Sequence, residues 1–191
     1  YKDFIPLFTA AKFQPDAWAA LFKEAGAKFV IPTAEHHDGF ALWDSKTNKW
    51  NAKNLGPKRD LIADLGAAVR RAGLKFGVSD HSIEHFTFIR EAAAPQNDLR
   101  DPQWKDFYAV ADRGSTESLE NFLTTWTTKQ LELIDKYQPD ILWFDNGVNS
   151  RALDPLKLRG AENYYNRAAE WKKDVSISTE GEGQRAAYLA G

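Results

Sequence analysis

The sequence predicts an α/β fold built on a parallel sheet, and three observations carry this prediction. Segments with apolar residues at helical spacing alternate with short apolar runs, so that the chain contains four helix-then-strand units. Short apolar strands separated by helices are typical of parallel sheets. No linker or low-complexity stretch interrupts the 191 residues, which indicates a single domain.

The first two units follow the same plan. A helix is predicted over 15–25 with a buried strand over 28–31, and a second helix over 60–72 with a strand over 74–78. In both units a glycine stands directly after the helix, where a left-handed residue commonly ends one. The spacing between units is uneven, so shared turn chemistry explains their similarity better than a solenoid does.

The last two units complete the pattern. Helical spacing predicts a helix over 118–137, and the strand 141–144 follows Pro139; a final helix over 161–172 leads into the strand 175–178. Four such units form either about half of a (β/α)8 barrel, which takes about 250 residues, or a small doubly wound sheet. No strand is followed by a G-x-G-x-x-G or GK[ST] loop, so the pattern does not favour a nucleotide-binding fold.

Composition excludes several classes of protein. The net charge is −2 and the basic residues are spread along the chain, so there is no basic stripe for a nucleic acid. No run approaches the roughly 18 apolar residues of a membrane span, and the first residues do not form a signal peptide. Cysteine is absent, which rules out a disulfide framework. Methionine is absent too, so we expect that the ends of this chain are not the native ends.

Polar residues follow every predicted strand, where parallel α/β proteins carry their reactive groups. Carboxylates and imidazoles should therefore converge on one face of the sheet, which a purely structural domain does not need. In chain order, the four strand ends supply Thr33, Glu35, His36, His37 and Asp38, then Ser79, Asp80, His81, Glu84 and His85, then Asp145 and Asn146, and last Thr179, Glu180 and Glu182.

Asp145 is the most specific candidate for chemistry. It directly follows Trp143 and Phe144, so its carboxylate should meet a partly apolar, aromatic wall. A carboxylate fixed at a strand end can attack a carbon centre when a partner acid protonates the leaving group. The alternative is an aspartate that caps the following loop. Glu180 and Glu182 could supply the partner acid, or they could be solvated loop residues.

The adjacent His36 and His37 also allow more than one interpretation. They could donate hydrogen bonds to ligand hydroxyls, or they could be loop residues bonded to the backbone. We predict no metal site, because adjacent side chains of an extended chain point in opposite directions and no H-E-x-x-H pattern is present. Trp43 could offer its ring to the same pocket or could belong to the core.

Five segments form recognisable motifs, in order, over nearly the whole chain. They are 25–29 (AGAKF), 33–45 (TAEHHDGFALWDS), 58–61 (KRDL), 73–78 (GLKFGV) and 137–145 (YQPDILWFD). These segments resemble the glycoside hydrolase family 29 α-L-fucosidases. The His-His-Asp-Gly-Phe and Leu-Trp-Phe-Asp motifs are specific for that family when they occur together.

The resemblance implies a (β/α)8 TIM-like barrel with parallel strands and retaining removal of terminal α-L-fucose. It implies that Asp145 is the nucleophile, that His36 and His37 bind the sugar hydroxyls, and that Trp143 lies beside the fucose. Several family members have tyrosines after the second strand, where this chain has Ser79-Asp80-His81. We therefore expect His81 to take the matching polar role in substrate binding.

The resemblance also implies a partial domain. Residues 1–191 would form part of a catalytic barrel whose first strand and C-terminal part lie outside the chain, with the acid/base glutamate beyond Gly191. We expect no cofactor, a fucosylated oligosaccharide or glycoconjugate as substrate, no nucleic-acid or membrane partner, and a secreted or periplasmic location. Two other functions stay open: a metal-dependent barrel hydrolase that uses His36, His37 and Asp145 as ligands, and a non-catalytic sugar-binding barrel.

Overall fold

The computed structural model describes residues 2–85, 98, 101–108, 115–145, 148 and 151–180, and its strands form one parallel sheet. The strands run in the order β1-β3-β4-β5, and β2 pairs with β3 on the same side as β1. The predicted parallel α/β fold is therefore confirmed. The strands are β1 (Phe29–Val30), β2 (Thr33–Glu35), β3 (Lys75–Asp80), β4 (Ile141–Phe144) and β5 (Ser176–Thr179).

Two strands extend by two or more residues beyond their predicted ends, and β5 extends by one, to Thr179. The first is interrupted at Pro32, which has no backbone N–H to donate, and it resumes as β2 through Glu35. β3 continues past the predicted end at 78 and includes Ser79 and Asp80, which pair with Trp143 and Phe144 of β4. Glu35, Ser79 and Asp80 are therefore strand residues rather than members of the loops beyond the strand ends.

Among the described residues, four long helices pack with the strands, and the helical turn Lys105–Tyr108 adds to them. α2 begins where the Asp60 carboxylate accepts a hydrogen bond from the backbone N–H of Ala63 at 2.8 Å, a typical N-cap. Short 3-10 turns cover Lys2–Leu7, Ser82–Glu84, Pro102–Trp104 and Arg151–Leu153. The long helices are α1 (Pro15–Glu24), α2 (Leu61–Arg71), α3 (Thr116–Tyr137) and α4 (Asp154–Trp171).

The start of α4 differs most from the prediction, because the helix begins at Asp154 instead of 161. Lys157 explains the difference. Its side chain is fully buried, and its ammonium donates to the carbonyl of Val148 at 3.0 Å and contacts the Asp154 carboxylate at 2.5 Å. A lysine at a core-facing position hides the apolar periodicity by which a helix is recognised.

The main core lies between the sheet and the helices. It contains apolar residues from β3 and β4, from the inner faces of α2 and α3, and from α4. No helix in the described ranges is both long enough and apolar enough to span a bilayer. The largest buried side chains of this core are Trp43, Phe76, Trp126, Phe144 and Tyr164.

Candidate active site

The carboxyl ends of four neighbouring strands meet at one edge of the sheet. β2 is followed by His36 and His37, β3 by His81, β4 by Asp145 and β5 by Glu180. Because β2 pairs with β3, β3 with β4 and β4 with β5, all in parallel, these residues are brought to the same edge. Four of the residues singled out in the sequence, both adjacent histidines, His81 and Asp145, thus belong to one cluster.

Asp145 is the centre of this cluster, and its side chain is largely buried. Its Oδ2 atom lies 2.7 Å from Nδ1 of His81. An ionised carboxylate can only accept, so Nδ1 of His81 carries the proton. On the other side of the ring, Nε2 lies 2.5 Å from Oγ of Ser79, which donates to it when the imidazole is neutral. Ser79 therefore fixes the His81 tautomer that donates to Asp145.

This line of serine, histidine and aspartate has the connectivity of a serine-hydrolase relay. Ser79, however, lies within β3 and only 5% of its surface is exposed. Asp145 lies in the loop directly after β4, beyond the sheet. The arrangement therefore favours a positioning role for Ser79 and leaves the carboxylate of Asp145 as the group that can meet a ligand.

His37 is held by the protein through both ring nitrogens. Nδ1 lies 3.1 Å from the carbonyl oxygen of His81, and Nε2 lies 3.2 Å from Oε2 of Glu84. A carbonyl oxygen and an ionised carboxylate can only accept, so both contacts are hydrogen bonds when each ring nitrogen of His37 carries a proton. Little of the His37 side chain is exposed, and its orientation is therefore set from two sides.

His36 is in a different situation from His37. Its ring stacks on that of His81, with centroids 4.7 Å apart and planes 23° apart. The rings of His36 and His37 meet edge to face, with centroids 4.2 Å apart. Partial burial lowers the pKa of His36, and the neighbouring His37 and His81 lower it further, against the opposite effect of Asp38 and Asp145. A neutral ring offers one N–H donor and one acceptor to a ligand.

Open space borders His36. A cavity of about 340 Å³ reaches this residue. The remaining walls are largely apolar and consist of Phe4, Ile5, Phe8, Thr33, Asp38, Phe40, Leu42 and Phe107.

Glu180 contacts Asp145 directly. A hydrogen bond between the two side chains, and next the charge of Asp145, raise the pKa of Glu180. Glu180 itself is exposed. Glu182, the other glutamate considered as a partner acid, lies outside the described residues.

Two sets of side chains have the spacing of a metal site. The ligand atoms of His36, His37 and His81 lie within 4.8 Å of one another, and so do those of His37, Glu84 and Asp145. The nitrogens of His37 and His81 are already engaged by the hydrogen bonds described above. A metal would have to displace these bonds, so the geometry favours a hydrogen-bonded network, and the absence of a metal stays a prediction.

The two tryptophans singled out in the sequence lie in different places. Trp43 is fully buried in the core, and its indole N–H faces Oε2 of Glu132 on α3 at 3.4 Å. The structure therefore does not bring Trp43 to the candidate site, and its assignment to substrate binding is corrected. Trp143 lies in β4 two residues before Asp145, and its place beside the sugar stays a prediction.

Glu35 also points away from the cluster. Its side chain is completely buried and pairs with the ammonium of Lys129 on α3. Burial raises the pKa of Glu35, while the charge of Lys129 lowers it. Glu84, in contrast, joins the cluster although the sequence assigns it no role. It follows β3 by four residues, but only the tight turn Ser82–Glu84 returns its carboxylate to His37.

The fold and this cluster define a parallel α/β protein whose candidate active site, rich in carboxylates and imidazoles, lies at the carboxyl ends of the strands. Comparison with known proteins adds the family. Residues 1–187 match the model of the α-L-fucosidase family, and the chain belongs to that family. The resemblance found in the sequence motifs is therefore confirmed.

Relatives of known activity and structure agree with this assignment. The chain is 37% identical over 147 residues to tissue α-L-fucosidase of Rattus norvegicus and 36% identical over 148 residues to plasma α-L-fucosidase of Homo sapiens. In each case the match covers 76% of this chain, which spans 28% of the length of the relative.

Solved structures of the Thermotoga maritima α-fucosidase match 93% of the chain. The complex with fucose is 37% identical with a TM-score of 0.62, and 38% of that chain is covered. The complex with a mechanism-based inhibitor is 38% identical with a TM-score of 0.64, and 37% of that chain is covered. The sheet and helices of this chain are accordingly part of a TIM-like barrel.

Proposed function

We propose that the protein carrying this chain is a retaining exo-glycosidase that removes terminal α-L-fucose from oligosaccharides or glycoconjugates, with Asp145 as its nucleophile. Residues 1–191 then form part of its catalytic barrel domain. The observation that carries the proposal is the carboxylate of Asp145, placed at the end of β4 and held by the N–H of His81 at 2.7 Å. Membership of the α-L-fucosidase family supports the choice of sugar.

The proposed reaction has two displacements at the anomeric carbon. In the first, Asp145 forms a bond to this carbon, the glycosidic C–O bond breaks, and a glutamic acid gives its proton to the leaving oxygen. In the second, the same glutamate removes a proton from water, whose oxygen attacks the anomeric carbon and releases Asp145. Asp145 must be ionised before each turnover, and the hydrogen bond from His81 favours its charged form.

The acid/base glutamate is a separate group from Glu180. Retaining glycosidases hold their two carboxyl groups about 5–5.5 Å apart, whereas Glu180 follows the neighbouring strand and lies close enough to Asp145 for that carboxylate to raise its pKa. Glu180 is therefore assigned as a neighbour of the nucleophile, and the acid/base is expected beyond Gly191.

The sugar is proposed to lie against the imidazoles and Trp143. His36 borders the open cavity and offers a neutral N–H donor to a hydroxyl group. His37 and His81 lie against the ring of His36 and are proposed to contribute polar contacts to the sugar. Trp143 lies in β4 two residues before Asp145 and is proposed to cover the apolar C5 methyl of fucose. No metal and no cofactor is needed for these steps.

Azide rescue tests the nucleophile in the full-length protein. Asp145→Ala should nearly abolish turnover of an aryl α-L-fucoside, because covalent attack loses its nucleophile. Azide should then enter the vacated space, form a C–N bond from the same side, and yield the β-fucosyl azide. Activity of Asp145→Ala within about tenfold of the wild type would show that the assignment is wrong.

His36→Ala is the matched comparison. The loss of a hydrogen-bond donor should cost about 1–3 kcal/mol, which is roughly 5- to 150-fold in kcat/KM, and azide should not restore it. The pattern of rescue therefore separates a nucleophile from a binding residue.

Two further measurements address the alternative functions. A metal-dependent hydrolase would lose activity after treatment with a chelator, whereas the proposed mechanism predicts no loss. A non-catalytic sugar-binding barrel would bind fucose without turnover. We also propose a secreted or periplasmic location, which the plasma relative supports; finding the protein only in the cytoplasmic fraction of its cells would contradict it.

A further inference from the structure

Glu84 is a carboxylate of the cluster that takes no part in the proposed reaction. It ends the turn Ser82–Glu84 that follows β3, and 20% of its side chain is exposed. Its Oε2 atom lies 3.2 Å from Nε2 of His37. The ligand atoms of Glu84, His37 and Asp145 lie within 4.8 Å of one another. Glu84 therefore adds negative charge close to the proposed nucleophile, and its contacts indicate what it does there.

Three contacts meet at the backbone of His81. Its carbonyl oxygen accepts hydrogen bonds from Nδ1 of His37 at 3.1 Å and from the backbone N–H of Glu84 at 3.4 Å. Its own N–H donates to the carbonyl of Glu35 at 3.0 Å. Glu84 thus acts on His81 twice, directly through its backbone and indirectly through the imidazole of His37.

The ring of His81 is the donor to Asp145. The contacts therefore form a chain from the carboxylate of Glu84 to His37, from His37 to the backbone of His81, and from its ring to Asp145. Rotation of the His37 ring would remove the side-chain donor from the carbonyl of His81. The carboxylate of Glu84 opposes this rotation, since it holds the opposite nitrogen of the same ring.

We infer that Glu84 is a positioning residue, which through His37 holds the loop of His81 and keeps its imidazole aligned with Asp145. This inference rests on the proposed function, because alignment of Asp145 matters only if this carboxylate is the reacting group. Glu84 is not proposed to touch the sugar or the anomeric carbon. Its effect should therefore appear more in the rate of the chemical step than in substrate binding.

Variants of Glu84 in the full-length protein test the inference by kinetics. Misplacement of a reacting group by about 1 Å costs on the order of 10²-fold, so Glu84→Ala should lower kcat by roughly 10- to 100-fold, with a smaller change in KM because His37 is also proposed to contact the sugar. Glu84→Gln should retain most activity, because its amide can still meet Nε2 of His37. Glu24→Ala, an exposed glutamate at the end of α1, is the control and should leave both constants unchanged.

A proton signal tests the same chain of contacts without activity. The Nδ1 proton of His81 should resonate downfield because it meets a carboxylate oxygen at 2.7 Å, and its loss in His81→Gln assigns it in histidine-labelled protein. The signal should broaden or shift in Glu84→Ala and persist in Glu84→Gln. An unchanged signal in Glu84→Ala would overturn the inference whatever the kinetics. If the wild-type protein hydrolyses no fucoside, the proposed function fails, and this signal still decides the role of Glu84.

Discussion

The buried ion pair between Glu35 and Lys129 gives the sharpest prediction about stability. Oε1 of Glu35 lies 2.5 Å from Nζ of Lys129, the Glu35 side chain is fully buried, and 11% of the Lys129 side chain is exposed. Asn48 donates a further hydrogen bond to Glu35 at 3.2 Å. Lys129→Met would leave a buried carboxylate with this amide but without its cation. Removing one partner of a buried pair costs about 3–5 kcal/mol, so we expect a loss of this size in the free energy of unfolding.

The loss should depend on pH with a definite sign. Burial raises the pKa of Glu35 and Lys129 opposes this, so the pKa should rise further in Lys129→Met. A carboxyl group with a raised folded-state pKa stabilises the fold below its unfolded value and loses this contribution as the pH rises through the folded-state value. The destabilisation should therefore be smaller near pH 4.5, the ordinary value for glutamate, than near pH 7.

Urea unfolding followed by tryptophan fluorescence measures both effects in the full-length protein. The double variant Glu35→Leu/Lys129→Met should recover most of the lost stability, because apolar replacement of a whole buried pair is often neutral or stabilising. Lys53→Met, an exposed lysine, is the control and should change stability by less than about 0.5 kcal/mol. A double variant as unstable as Lys129→Met, or a single variant that loses less than about 1 kcal/mol, would show that the ion pair does not stabilise the fold in this way.

Two further substitutions test the fold. Burial raises the pKa of Asp140, but the backbone N–H of Phe76 and the nearby ammonium groups of Lys173 and Lys75 lower this pKa below its ordinary value of 3.8. Asp140→Asn should therefore lose about 1.5–3 kcal/mol at neutral pH and less as the pH falls through the folded-state value, as measured by urea unfolding at several pH values. Gly39→Ala should lower the thermal midpoint more than Gly26→Ala does. Both glycines have positive φ, but a methyl group at Gly39 would lie 2.2 Å from Cε1 of His85, whereas one at Gly26 meets nothing within 4 Å.

Local sequence predicts the regular elements of this chain well. α2 was predicted over 60–72 and is Leu61–Arg71, because Asp60 caps its start and its apolar residues recur at helical spacing. β4 was predicted at its observed bounds, because a short apolar run stands between Pro139 and Asp145. The errors lie where one residue breaks the local pattern, such as Pro32 between β1 and β2.

The candidate site is predicted less completely, because its contacts join residues that are distant along the chain. Their positions at strand ends indicate that His81 and Asp145 belong to the site. The hydrogen bond between them joins residues 64 positions apart, and no local pattern predicts it. Nothing local shows that Trp43 meets Glu132, 89 residues away, and so belongs to the core. The role inferred for Glu84 depends on the path of one tight turn, which spacing alone does not predict.

Covalent trapping of the sugar is the most direct test of the central claim that Asp145 is the nucleophile. A 2-deoxy-2-fluoro-α-L-fucosyl fluoride combines a good leaving group with a fluorine that slows hydrolysis of the intermediate, so the glycosyl ester should accumulate. Peptide mass spectrometry of the full-length protein should then find one fluorofucosyl group, attached to Asp145. A label on Glu180, or on any residue other than Asp145, would contradict the account.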